Sequence, residues 1–192
     1  MTSREYILSQ IRDSRRQSVD MPDLASINPV EYQDRIERFM STVEQVGGHA
    51  VLLEEGADIN AELQKLHPSS KVIASSLPYI QADKNPDTVA EASDLADVDL
   101  GVVEGKVAVT ENGCVWVPQT MKERAVMFIS QSLAIIVDRN DIVSNMHQAY
   151  RMVQTPDLGY GCFISGPSKT ADIAQALVMG AQAAREVTVI VK

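Results

Sequence analysis

Residues 48–75 read GHAVLLEEGADINAELQKLHPSSKVIAS, and their alternation of patterns decides the fold class. Ala50–Leu53 is a short apolar run that suits a buried strand, and Lys71–Ser75 returns as a second one. Between them, Asp58–Leu66 places Ile59, Leu63 and Leu66 on one helical face. Strand, helix, strand is a βαβ unit, so at least part of the sheet is parallel. Upstream, Tyr32, Ile36, Phe39, Met40, Val43 and Val46 recur at helical spacing. Asn28 is the expected cap of that helix, with Pro29 at its first position, and Gly47-Gly48 its stop.

Downstream, residues 78–99 are acidic and rich in breakers, which predicts a loop with little helix. Leu100–Val103, Lys106–Thr110 and Cys114–Val117 are short β-rich runs, and Asn112-Gly113 between the last two is a hairpin signal. Alternation then resumes: Leu133–Val137 as a buried strand, Asp141–Val153 as a helix, Cys162–Ile164 as a strand, Thr170–Ala183 as a helix and Val187–Val191 as a closing strand. The pattern predicts an α/β fold: a Rossmann-like open, mostly parallel sheet with helices on both faces and a small antiparallel β insertion. At the start, Thr2-Ser-Arg-Glu5 has the form of a capping box, followed by an apolar stripe of Ile7, Leu8 and Ile11. Residues 1–27 read as an N-terminal helix and linker ahead of one domain, 28–192.

Composition narrows the function classes. The formal net charge of -9 argues against a nucleic-acid surface, which needs clustered Lys and Arg. No apolar run approaches the ~18 residues of a membrane span, and the first residues lack an apolar signal region, so cytoplasm is the expected compartment. Cys114 and Cys162 stand far apart, too few for a zinc site or an Fe–S cluster, and the three histidines show no metal-ligand spacing. The chain is expected to carry no cofactor.

Two segments carry candidate chemistry. In Ser165-Gly-Pro-Ser-Lys-Thr-Ala-Asp172, a Gly-Pro turn between an expected strand and helix would leave backbone N–H groups free for an anion. Ser165, Gly166, Pro167, Ser168, Lys169, Thr170 and Asp172 are the candidate ligand-binding residues. The competing reading is a self-capped helix, and Asp172 weighs against a bare phosphate. In Thr110-Glu-Asn-Gly-Cys114, Glu111 is the candidate base or nucleophile and Gly113 a candidate ligand contact. Its alternative is a solvated hairpin residue. Cys114 fits a packed strand residue better than a nucleophile.

Three stretches together resemble the LUD family of lactate-utilisation proteins, in the branch of lactate-utilisation protein C. They are Gly101–Gly113, Leu133–Val137 with Asp141–Val143, and Ile164–Ile173 with Leu177-Val-Met-Gly180 and the last strand. The resemblance implies the fold of sugar-phosphate isomerases and CoA-transferases (NagB/RpiA-like). It implies a role as the accessory component of a bacterial system for L-lactate oxidation, alongside Fe–S oxidoreductase subunits and with a small anionic ligand. Homo-oligomerisation stays open. This chain departs from the family at Ala174, where Glu is common, and at Gly180-Ala-Gln-Ala-Ala184, which replaces a Gly-Val-His-Gly-Pro-like run. Glu111-Asn112-Gly113 also resembles the segment around the catalytic glutamate of class I CoA-transferases. That implies an alternative: a CoA- or acyl-transferring enzyme with Glu111 as nucleophile. A third reading is a regulatory binding module without chemistry.

Overall fold

Strands apolar on both faces need cover from both sides, and their alternate residues divide between two layers. The computed structural model describes residues 2–14, 20, 22–23, 26–153, 159–170 and 178–192. In chain order the elements are α1 (Ser3–Asp13), α2 (Arg35–Gln45), β1 (His49–Leu52), α3 (Ile59–Leu66), β2 (Ile73–Ala74), β3 (Leu100–Glu104), β4 (Val107–Val109) and β5 (Cys114–Pro118). There follow α4 (Val126–Ile129), β6 (Ser132–Val137), β7 (Ile142–Val143), α5 (Met146–Met152), β8 (Gly161–Ile164), β9 (Lys169–Thr170), β10 (Val178–Met179) and β11 (Glu186–Val191).

The central sheet has five parallel strands in the order β1-β11-β6-β3-β2. The βαβ unit read from residues 48–75 is present, but its strands sit at opposite edges, so α3 crosses the whole sheet. One face of the central strands (Ala134, Ile136, Ile190, Leu100, Val102) packs on Leu63 of α3, with Ile59 and Leu66 beside it. The other face (Leu133, Ile135, Val137, Val187, Val189) meets Phe39 and Val43 of α2, Val126 and Met127 of α4, and a second sheet. Full burial of side chains such as Phe39 stabilises by about 1.5–3 kcal/mol each.

The second sheet runs β7-β4-β5-β8, with β5 antiparallel to both its neighbours and β7 parallel to β4. Ala108, Val115 and Val117 face the central sheet. Val107, Val109 and Cys114 face outward, under Met146 and Ala149 of α5 and beside Trp116 and Phe163. The chain passes from β3 to β4 at Gly105, where a Cβ would lie 2.2 Å from Val115 Cγ1. Only a glycine lets the two sheets come this close.

Several sequence-based boundaries move. The first core helix is capped by Asp34, whose carboxylate accepts the Glu37 N–H at 3.1 Å, and not by Asn28. Residues before it are held extended instead: Tyr32 N donates to Ser144 Oγ, and Val30 O accepts from Asn145 Nδ2. The expected helix over Asp141–Val153 is two elements, because Ile142–Val143 joins β4 as a strand and α5 starts only at Met146. Cys162–Ile164 is a strand, but in the second sheet, antiparallel to β5. The helix expected over Thr170–Ala183 fails at its described ends, since Lys169–Thr170 pairs antiparallel with Val178–Met179. Residues 171–177, Asp172 among them, lie outside the described residues. The loop over 78–99 holds a single 3-10 turn, Ala92–Leu95, as its breakers predict. Thr2 and Glu5 form the capping box of α1, none of whose residues is buried.

Candidate functional site

The hairpin that carries Glu111 is longer than a two-residue turn. Val109 pairs with Cys114, so Thr110–Gly113 form the connection. Its first half runs on along β7, as Thr110 N donates to Val143 O at 2.9 Å and Glu111 N to Ser144 O at 3.1 Å. Thr110 is fully buried, and its hydroxyl donates to Arg35 O at 3.2 Å. The second half turns on Gly113, at φ +64°, whose missing Cβ would sit 3.1 Å from Thr42 C and Val43 N of α2. Gly113 therefore contacts α2 backbone, and a side chain there would separate hairpin and helix.

Glu111 is exposed, and its Oε1 accepts the Met146 N–H at 3.0 Å, at the first residue of α5. This satisfies one of the N–H groups that every helix start leaves open. Among the described residues Glu111 makes no hydrogen bond to the Ser165–Thr170 segment. Chemically it remains an accessible carboxylate, oriented by one oxygen.

The Ser165 turn follows β8 and leads into β9, so it is not the strand-to-helix junction that the pattern suggests. Nor does it lie at the carboxyl edge of the parallel sheet, because β8 belongs to the second sheet. Ser165 Oγ donates to Asn112 O at 2.9 Å, tying the turn to the hairpin. Gly166, at φ +64°, passes so close to the end of α2 that a Cβ would be 2.6 Å from Val46 O. Lys169 Nζ donates to the same Val46 carbonyl, placing its charge at the negative end of α2. Ser168 N donates to Ala184 O, Gly180 N to Ser168 O, and Thr170 Oγ1 to Val178 O. Pro167 is buried. The structure thus brings Asn112, Gly113, Ser165, Gly166 and Lys169 together around the carboxyl-terminal half of α2. The bridging carbonyl of Asn112 and the α2 terminus carry no sequence signal as partners, since both contribute only backbone.

The remaining candidates are quiet. Burial pushes the Cys114 thiol up to about 12, leaving no thiolate at neutral pH, and its sulfur lies 3.7 Å from Met146 Sδ. Burial likewise raises the Cys162 thiol. His49 Nδ1 pairs with Glu44 Oε1 at 2.9 Å. Among the described residues no group of three or more His, Cys, Asp and Glu could hold a metal ion. No described helix is long and apolar enough to cross a membrane.

A parallel five-stranded sheet between a crossing helix and a smaller mixed sheet defines an α/β protein with a mostly parallel core and an added β layer. The chain belongs to the LUD domain family, whose family model matches residues 88–191. The matched span holds the Glu111 hairpin, the Ser165 turn and the strands β3, β6 and β11. Among solved structures, the chain is similar to a DUF162 (LUD domain) family protein from Deinococcus radiodurans. The two are 14% identical with a TM-score of 0.62, over 85% of this chain and 99% of that one. At that identity the likeness is one of fold. Comparison with curated proteins gives no match.

Proposed function

We propose that the chain is the accessory component of a cytoplasmic bacterial L-lactate oxidation system, binding a small anionic ligand and acting with Fe–S oxidoreductase subunits. The observation that carries the reading is the Ser165 Oγ to Asn112 O bond at 2.9 Å. It sets the two segments that most resemble lactate-utilisation proteins side by side against one helix end. The polar groups of that junction are turned to backbone carbonyls, and the Cys114 thiol is suppressed. Such a site supports holding and presenting a partner or ligand better than covalent catalysis. The test is lactate oxidation by the reconstituted system with and without this chain. The reading expects turnover to fall sharply on omission; undiminished turnover overturns it.

A second reading has one observation in its favour, the exposed Glu111 carboxylate held by a single N–H. As a nucleophile it would attack a thioester carbonyl, form an acyl–glutamyl anhydride and release the CoA thiolate. Hydroxylamine added with acyl-CoA would convert Glu111 to its hydroxamate, visible by intact mass. No adduct across a panel of thioesters removes this reading.

A further inference from the structure

The amino ends of β6 and β11 border a cleft of about 510 Å³, a size suited to a small organic molecule. Phe128, Ile129 and Ala181 give it apolar walls, and Arg124 and Arg185 stand at it as cations. Its acid, Glu123, accepts the Ala125 N–H at 3.0 Å. Among the described residues neither guanidinium has a carboxylate partner. Arg124 Cζ lies over the Tyr160 ring at 4.6 Å from its centroid, and among the described residues the guanidinium N–H groups make no hydrogen bond. The stem of Arg185 is held against Gly180, where a Cβ would lie 2.1 Å from Arg185 Cγ. Both ends of that wall are fixed by hydrogen bonds, Gly180 N to Ser168 O and Ser168 N to Ala184 O.

In a chain of net charge -9, two arginines at an apolar cleft without a carboxylate partner among the described residues make it a place that attracts anions. Another cleft, of about 430 Å³ at the carboxyl ends of β1, β6 and β11, lacks this property. It is lined by Glu54, Glu55 and Asp138 beside Arg139, whose Nη2 donates to Leu53 O at 3.2 Å, and its Lys192 faces Glu104 at 3.7 Å. A larger cleft, about 590 Å³ beside Asp34, Arg35 and Arg139, has both guanidinium groups donating to backbone carbonyls, Arg35 Nη1 to Ile142 O at 2.9 Å and Arg139 Nη2 again to Leu53 O. Electrostatics favour the first cleft.

We infer that the Arg124–Arg185 cleft binds a small organic anion, a carboxylate or phosphate joined to an apolar or planar body. The arginines take the anionic group through charge-assisted, fork-shaped hydrogen bonds, and Phe128 and Ile129 take the body. The site is separate from the Glu111 hairpin, and the inference does not rest on the lactate reading.

The test is calorimetric titration of the full chain with phenylacetate and phenyl phosphate. Benzyl alcohol and inorganic phosphate, each carrying half of the recognised chemistry, serve as references. Both organic anions should saturate, with each reference at least about tenfold weaker. The double variant R124Q/R185Q should weaken the organic anions at least about tenfold, while its melting temperature stays unchanged because both side chains are exposed. Arg185→Lys, which keeps the charge but loses the fork, should fall between. Should the double variant unfold, Arg185→Lys and Gly180→Ala, which displaces the Arg185 stem, give the same reading separately. A tighter phenyl phosphate assigns a phosphate ligand, and a tighter phenylacetate a carboxylate. Unchanged affinity in folded variants, or no saturation by either anion at millimolar concentration, overturns the inference.

Discussion

The two sheets of this molecule are built on different rules. In the parallel sheet, the central β6 buries five of its six residues fully, and identity at each position is set by apolar volume. In the four-stranded sheet, Trp116 and Phe163 are only partly buried, the strands are short, and the ends carry the polar segments Thr110–Gly113 and Ser165–Thr170. The first is stabilised by packing and the second by clasps: a glycine against a helix, a hydroxyl on a carbonyl, a lysine at a helix end. Residues that look like chemistry in sequence are, in the second sheet, also parts of the scaffold.

The strongest way to sharpen this contrast is to cut into the core of the parallel sheet. Ile135 is wholly buried, in the core cluster to which α2, the central sheet and the second sheet all contribute. Ile135→Ala should cost about 2–5 kcal/mol, measured by urea denaturation. A cost similar to that of the clasp variants below would mean that the two sheets do not differ in kind.

A smaller effect is expected where the sheets touch. Gly105→Ala places a Cβ 2.2 Å from Val115 Cγ1 and 3.2 Å from Ile135 Cγ2, with a packed strand on either side. Overpacking of this sort costs about 1–3 kcal/mol. Val115→Ala in the same chain should recover part of it, and failure to recover would show that the close approach is not the cause.

Weaker still is the clasp itself. Ser165→Ala removes one exposed hydrogen bond to Asn112 O and should cost about 0.5–1.5 kcal/mol. Lactate oxidation by the reconstituted system separates the two roles of this residue. If it falls many-fold while the melting temperature barely moves, the turn contacts ligand or partner; if both change in step, the turn is scaffold alone.

The same contrast explains what could be read from the chain. Leu133–Val137 and Val187–Val191 are visible as strands because both faces are apolar, and the α3 stripe because Ile59, Leu63 and Leu66 repeat at the right spacing. Ile142–Val143 is misread because a two-residue strand has no period, and its pairing with Ala108–Val109 is long-range. Asn28 and Asp34 are equally good caps in isolation; contacts with Ser144 and Asn145 decide between them. At the site, Glu111 and Ser165 stand out by type, but what joins their segments is the Asn112 backbone carbonyl, 53 positions from Ser165, which no pattern records. Arg124 and Arg185 lie far apart in sequence, each next to a glutamate, Glu123 and Glu186. The one hint toward them is the altered Gly180–Ala184 run, which proves to wall their cleft.

The smallest expected effect is a pH dependence at the amino edge of the parallel sheet. His67 follows α3 as its C-cap, is 8% exposed, and its Nε2 has no hydrogen-bond partner among the described residues. Burial holds its imidazole below the ordinary 6.5; the charge of Glu186 pulls the other way and His49 adds to the lowering. The unfolded chain therefore takes up a proton as pH falls through about 6.5, while the folded chain resists it. The neutral imidazole contributes its stability fully above that pH, and the contribution shrinks as pH falls below it. His67→Leu should flatten this part of the profile, measured as urea midpoints of both chains from about pH 8 to about pH 5. The carboxylates common to both chains cancel in the difference. Equal slopes would place the acid sensitivity elsewhere than His67; the partly buried Asp141 carboxyl beyond β6 is not its source, because burial raises it and its protonation favours the folded chain as pH falls. A flattened slope instead assigns this sensitivity to the helix that crosses the parallel sheet, away from the clasps of the second.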